Sequence, residues 1–288
     1  MPDEDARTVQ ETAAGTSNSR TPAVSCWRIA KRRLLRALGG FRVYRNPSIR
    51  ILDYLGLVRS RRVEIALRNG LRVNVRLRTG DFGVLDEVFN QGVYNRALER
   101  IESGQFVLDV GAHAGIFALA AARRGASVLC FEPLPDNVEL LEANAKLNGF
   151  DARITVCRSA VCAVPGTMEL FTLASDTGGS TFFPATHPAW KNDTRVRRLS
   201  VPCVTLHEIF DRHRLSMCDC LKMDCEGAEF DIFESASAAD LQRIRMIILE
   251  YHPINDVGRI RLRLEQLGFA VDVSDSPCIL WASSVHGC

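Results

Sequence analysis

The sequence predicts an α/β fold: a mostly parallel sheet with helices on both faces and an antiparallel hairpin at one edge. Three observations carry that prediction. Apolar, strand-like runs recur at 106–110, 127–131, 153–157, 219–223 and 245–250, and helical patterns at 114–124, 135–148, 205–213 and 227–243 separate most of them. Strands that alternate with helices form parallel sheets covered on both faces. The first strand run ends in a small-residue turn, "DVGAHAG" (109–115), and the last segment, "LEQLGFAVDVSDSPCILWASS", reads as a helix end followed by two closely spaced strands.

Composition sets the outer bounds. A chain of 288 residues, 47% hydrophobic and 24% charged, can bury a sizeable core and is ordinary for a globular protein. Its net charge of +2 is too small to point to nucleic acid as the main partner. No run approaches the roughly 18 uncharged apolar residues of a membrane-spanning helix. The opening "MPDEDARTVQ" is acidic and polar, unlike a secretory signal, so a cytoplasmic protein is expected, with export by another route left open. Ten cysteines are scattered through apolar segments. Cys130, Cys157 and Cys203 read as small hydrophobes of buried strands. Cys218, Cys220 and Cys225 lack the paired spacing of a zinc site, and reduced thiols are the better reading.

The N-terminal elements follow in order. Residues 1–25 are polar and acidic, the composition of a disordered tail. Residues 26–45, "CWRIAKRRLLRALGGFRVYR", carry seven basic side chains and no acid, and Trp27, Ala30, Leu34 and Leu38 fall near one helical face. Such a helix can contact an anionic membrane surface or an acidic partner. Packing on its own domain is favoured over both, because the apolar face is short. Gly39-Gly40 ends the helix. Residues 61–78 alternate apolar and basic side chains around Asn69-Gly70, a β-hairpin signature. From Phe82 to Ile101 the apolar spacing is helical. The expected organisation is therefore a tail over 1–25, an accessory helix and hairpin region over 26–100, and a ligand-binding domain over 101–288.

In such sheets ligands bind where strands end and helices begin. Gly111 permits the tight turn, and Gly115 lets the following helix approach the ligand. Glu132 closes the next strand, where a carboxylate accepts hydrogen bonds from ribose hydroxyls. The turn reads G-x-x-x-G rather than the G-x-G-x-x-G of dinucleotide sites, and Asp109 directly before it would repel a pyrophosphate. An acid there suits an ammonium. S-adenosylmethionine carries a sulfonium, an ammonium and a ribose, and fits Asp109 and Glu132 together. An NAD-dependent oxidoreductase is the lesser enzymatic alternative. A cofactor-fold binding module using the basic 26–78 region on an acidic partner is the non-enzymatic one.

The segments "VLDVGAHAGIFALAAARRGASVLCFEPLPDNVELLEANAKLNG", "CLKMDCEGAEFDIFESA" (220–236) and "MIILEYHP" (246–253) resemble the FkbM-type family of S-adenosylmethionine-dependent methyltransferases over roughly residues 85–275. His113 stands where that family usually has Asn. The resemblance implies a Rossmann-like class I methyltransferase fold with a seven-stranded sheet, S-adenosylmethionine as cofactor and O-methylation as the reaction. It also implies a small hydroxylated acceptor of sugar or polyketide type, without nucleic acid, and places Ser159 and Ala160 around the adenine. A homo-oligomer is left open.

Methyl transfer to a hydroxyl needs in-line alignment and a group that takes the proton. Asp224 and Glu226, after the fourth strand, are the main candidates for substrate-facing chemistry, with Lys222 further in on that strand. Each has a plainer reading: Asp224 as a cap for the helix near Gly227, Glu226 and Glu229 as complements to its dipole, Lys222 as a neutralising partner. Glu250 and His252 end the fifth strand, and His252 suits general-base work or, equally, a structural place before Pro253. A divalent metal at Asp224 and Glu250 is compatible with the residues, but the ligand count is not readable. Tyr94 in "FNQGVYN" reads equally as a cover for the methionine end of the cofactor or as an interface residue of a packing helix, and His113 at the turn as a cofactor contact or a helix cap. The polar stretch 174–198, with Gly178-Gly179, Phe182-Phe183, His187 and Trp190, reads as a long loop that could act as a lid.

Overall fold

The computed structural model describes residues 40–58, 62–173, 176–183, 195–252 and 256–285. The expected tail, most of the basic 26–45 segment, His187 and Trp190 lie outside the described residues.

After a short helix α1 (Ser48–Tyr54), strands β1 (Arg62–Ala66) and β2 (Arg72–Arg76) form the antiparallel hairpin around Asn69-Gly70. Next come α2 (Asp81–Asp86), a π-helical turn over Glu87–Gln91, and α3 (Asn95–Leu98). A single helix from Phe82 to Ile101 therefore does not form. Gly92 adopts φ +66°, a left-handed stop that ends the π-turn.

The main sheet contains β3 (Phe106–Val110), β4 (Ser127–Phe131), β5 (Ile154–Cys157), β10 (Cys220–Met223), β11 (Met246–Glu250), β12 (Phe269–Asp275) and β13 (Cys278–Ser284). Their order is β12-β13-β11-β10-β3-β4-β5. Neighbours from β11 to β5 are parallel, and β13 runs antiparallel between β11 and β12. The chain moves outward from β3 through β4 to β5, then returns to the other side of β3, so the switch point lies between β3 and β10.

Period-two alternation divides each central strand between two cores. Val107, Val128, Cys130, Cys220 and Ile248 face a core built with helices α4 (Ile116–Arg123) and α5 (Pro135–Leu147) and the N-terminal hairpin. Leu108, Val110, Leu129, Leu221 and Leu249 face a core built with α6 (Leu206–Arg212), α7 (Glu229–Ser235) and α9 (Val257–Gln266). The expected helix over 227–243 splits into α7 and α8 (Ala238–Gln242): Ala236 is extended, and the Ser237 hydroxyl caps the new start by accepting from Asp240 N.

A second sheet of order β6-β9-β7-β8 rises beside the cleft from β6 (Ala160–Val161), β7 (Gly166–Leu173), β8 (Asp176–Thr181) and β9 (Arg197–Val204). The 174–198 stretch is thus not one loop, since it contains β8 and the start of β9.

Candidate active site

A cleft opens at the carboxyl ends of β3, β4 and β10, with an empty volume of about 810 Å³ including its mouth. The 110–113 turn and residues 131–134 line one side, residues 222 and 224–226 another, and the small sheet closes over it with Leu170, Ser180 and Phe182.

Gly111 has φ +72°, and a Cβ there would lie 1.8 Å from the carbonyl oxygen of Asp224. Only glycine lets the β3 turn pass under the end of β10. Gly115 departs from its expected role: at φ +78° its missing side chain leaves room for Leu141 of α5, which a Cβ would meet at 2.7 Å. It serves helix packing and does not line the cleft.

Glu132 lines the cleft and is 4% exposed. Its carboxylate accepts from His113 N at 2.8 Å, Leu134 N at 2.9 Å and Asn137 Nδ2 at 3.2 Å. Burial raises its pKa, and these hydrogen bonds work the other way.

Asp109 departs from expectation. It is fully buried, pairs in register with Lys222 across β3 and β10, and is not a cleft-lining residue. Its carboxylate lies 3.4 Å from Lys222 Nζ, so the ammonium it faces belongs to the protein. Burial raises the Asp109 pKa and Lys222 opposes that rise. Lys222 does reach the cleft. Its Nζ donates to the Gly111 carbonyl at 2.8 Å and lies 3.9 Å from Asp224. Burial alone would depress the Lys222 pKa, but Asp109 and then Asp224 reverse it and hold the amine charged. A lysine held this way is no proton acceptor, only a fixed cation.

Asp224 lines the cleft with 28% of its side chain exposed. It makes no helix cap, because Glu229 takes the free N–H groups of that turn: those of Cys225 and Gly227, each at 2.8 Å. Glu226, at φ +52°, also lines the cleft, and its carbonyl accepts from the Thr181 hydroxyl of β8 at 2.7 Å. Its carboxylate lies 3.0 Å from His252 Nε2, while His252 Nδ1 lies 3.1 Å from Glu229. Burial works to lower the His252 pKa, but the two carboxylates outweigh it and push it up to about 11. This corrects the general-base expectation: the imidazole is protonated and has no lone pair to offer. Burial raises the Glu226 pKa against the pull of His252.

Tyr94 lines the cleft, donates to Glu250 at 2.8 Å and packs edge-on to Phe117. Burial, then the charge of Asp224, pushes the Glu250 carboxyl up to about 7, with the Tyr94 hydrogen bond holding it back. Ala160 lines the cleft, and Ser159 lies buried beside it without reaching the lining.

Most of the donors that could take a divalent metal here are engaged by other protein groups. Asp224, Glu229 and His252 offer donor atoms within 4.8 Å of one another. Both His252 nitrogens are committed to carboxylates, Glu229 already holds two backbone N–H groups, and the imidazolium supplies the positive charge an ion would bring. Glu250 is engaged by Tyr94.

Sequence reasoning missed a second group at the turn. His113 lines the cleft at φ +51°, with Nε2 3.3 Å from Asp81 Oδ1 and 3.4 Å from Arg76 Nη2. Burial lowers its pKa to about 4. Arg76, Asp81 and Asn137 come from the hairpin, α2 and α5, and no local periodicity relates them. Only the ionic pairing of Arg76 with Asp81, five residues apart, was open to inspection.

An open parallel sheet with a glycine turn after one strand, an acid after the next and an antiparallel pair at its edge defines the class I methyltransferase fold. The family model described as the methyltransferase FkbM domain matches residues 109–271, more than half of the chain, and the protein belongs to that family. Methyltransferase sdnD of Sordaria araneosa is 26% identical over 216 residues, covering 65% of this chain and 82% of that protein. The 31-O-demethyl-FK506 methyltransferase FkbM of Streptomyces tacrolimicus is 26% identical over 216 residues, covering 66% and 82%. Among solved structures, a methyltransferase FkbM from Methylobacillus flagellatus aligns at 15% identity with a TM-score of 0.44, covering 66% of this chain and 46% of that one. Among the described residues no helix is long and apolar enough to cross a membrane.

Proposed function

We propose that this protein methylates a hydroxyl group of a small sugar or polyketide-type acceptor, with S-adenosylmethionine as donor. The observation that carries the reading is the charge of the cleft. Glu132, Asp224 and Glu226 line it, and Lys222, the one lysine among the described residues that line it, is held by Asp109 and the Gly111 carbonyl. Such a lining favours a cationic nucleoside and disfavours the pyrophosphate of a nicotinamide cofactor or a nucleic-acid backbone. A relative's name supports the acceptor class: the Streptomyces protein is called a 31-O-demethyl-FK506 methyltransferase.

The residues fit this donor. Glu132 would hold the ribose, Leu134 and Ala160 offer apolar surface for the adenine, and Tyr94 covers the far end. When bound, the cofactor supplies an electrophilic methyl on sulfur. Lys222 and His252 are kept protonated by their acid partners and steady the two sides of the cleft. Asp224 is the carboxylate left to act. In methyl transfer to an acceptor hydroxyl, Asp224 would take the proton that the oxygen gives up. Leu170 and Phe182 exclude water from that step.

Incubation with radiolabelled S-adenosylmethionine and a panel of hydroxylated macrolides and sugars tests this. The wild type is expected to label an acceptor, and Asp224→Asn to lower kcat by about 10²–10⁴-fold, the range of general-base contributions. Unchanged turnover in that variant would remove Asp224 from the proton step.

A further inference from the structure

We propose that Arg76, on the N-terminal hairpin, is a positioning residue for the cofactor: through Asn137 it aims the Glu132 carboxylate at the ribose. This rests on the reading of Glu132 given above.

Arg76 is held from three sides. Its Nε and Nη2 donate to the two oxygens of Asp81 at 3.0 and 2.9 Å, and its backbone N–H donates to Asp81 Oδ2 at 2.7 Å. Asp81 is fully buried, and the Arg76 side chain is 11% exposed. A guanidinium clamped by both oxygens of one carboxylate has little freedom left. Its Nη2 also donates to Asn137 Oδ1 at 2.7 Å.

That contact decides which way the Asn137 amide faces. Arginine can only donate, so the amide must turn its carbonyl oxygen to Arg76. The Asn137 NH2 group then points to Glu132 Oε1, 3.2 Å away, and an ionised carboxylate can only accept. Donor-only and acceptor-only groups on opposite sides leave one orientation of the amide. Without Arg76 the amide could reverse and set oxygen against oxygen.

Both oxygens of Glu132 are governed in this way. Oε1 accepts from Leu134 N and Asn137, and Oε2 accepts from His113 N. The His113 ring itself rests against Asp81 and Arg76. A carboxylate offers roughly four lone-pair sites, so about one is left, on Oε2, for a ribose hydroxyl. The hairpin region is thereby part of the cofactor site, although it lies outside the main sheet.

The test pairs ligand changes with substitutions in the full chain. Calorimetric titration with S-adenosylhomocysteine and its 2′-deoxy and 3′-deoxy analogues measures what each ribose hydroxyl contributes. In the wild type, loss of the hydroxyl that meets Glu132 is expected to weaken binding about tenfold or more, as for a hydrogen bond to a charged group. In Asn137→Ala, which leaves the Arg76–Asp81 pair intact, that ratio should fall towards one. Arg76→Met paired with Asp81→Asn should do the same without stranding a buried charge. Retention of the full ratio in Asn137→Ala would overturn the inference. If the wild type binds the parent ligand yet loses nothing with either deoxy analogue, the ribose role of Glu132 fails instead.

Discussion

Glu132 and Glu229 are two buried glutamates with the same local task and different outcomes. Each sits at the carboxyl end of the sheet and holds two backbone N–H groups: those of residues 113 and 134, after two neighbouring strands, for Glu132, and of 225 and 227, in one turn, for Glu229. Their third partners differ. Glu132 is met by a neutral amide, Asn137, whereas Glu229 is met by the imidazole of His252, charged by its two carboxylates. Glu229 is thereby neutralised within the protein and serves structure. Glu132 is held by neutral donors and borders the cleft, so its remaining capacity is open to a ligand. A carboxylate is available for binding when the protein has satisfied its hydrogen bonds without cancelling its charge.

Removing the structural acid should cost most. Glu229→Ala strands two N–H groups and one side of His252, and chemical denaturation should show a loss of about 3–5 kcal/mol, as for a broken buried charge pair. A loss no larger than that of a surface substitution would mean that Glu229 does not serve structure.

Gly111→Ala tests the contact that brings the two regions together. Its Cβ would collide with the Asp224 carbonyl, and φ is left-handed, so about 3 kcal/mol of stability should go. Gly115→Ala, also at a left-handed φ, meets the buried Leu141 side chain rather than backbone and should cost less.

The pH dependence separates the acids further. The His252 pKa is raised above its usual 6.5 to about 11, so its stabilising contribution is complete below about pH 6.5 and is lost as the pH rises towards 11. The stability difference between wild type and His252→Gln should shrink steadily over that range. A constant difference would show that His252 does not carry the charge that neutralises Glu229.

The smallest effect is expected from Tyr94→Phe. It removes one hydrogen bond from Glu250, at a cost of about 1 kcal/mol, and should move the Glu250 titration upward from about 7, measurable by NMR. An unmoved titration would show that Tyr94 does not hold that carboxyl down.

Much of this arrangement was legible in the sequence. The strand–helix alternation located the seven strands, and the turn at 109–115 with Glu132 located the cleft. Asp109 was misplaced because a strand reading gives alternation but not cross-strand register; that register puts Lys222 beside it. The small sheet was read partly as loop because β8, "DTGGST", has no apolar alternation and is recruited by its neighbour β7. His252 looked like a base because a lone His suggests an ordinary pKa, and only folding brackets it with Glu226 and Glu229. Arg76 and Asn137 are 61 residues apart, beyond any local pattern.

The most direct measurement is calorimetric titration of the full chain with S-adenosylmethionine and, in parallel, with NADH. The account predicts binding of the first, weakened in Glu132→Ala, and no signal from the second. Binding of NADH without S-adenosylmethionine, or binding of S-adenosylmethionine that ignores Glu132, would contradict it.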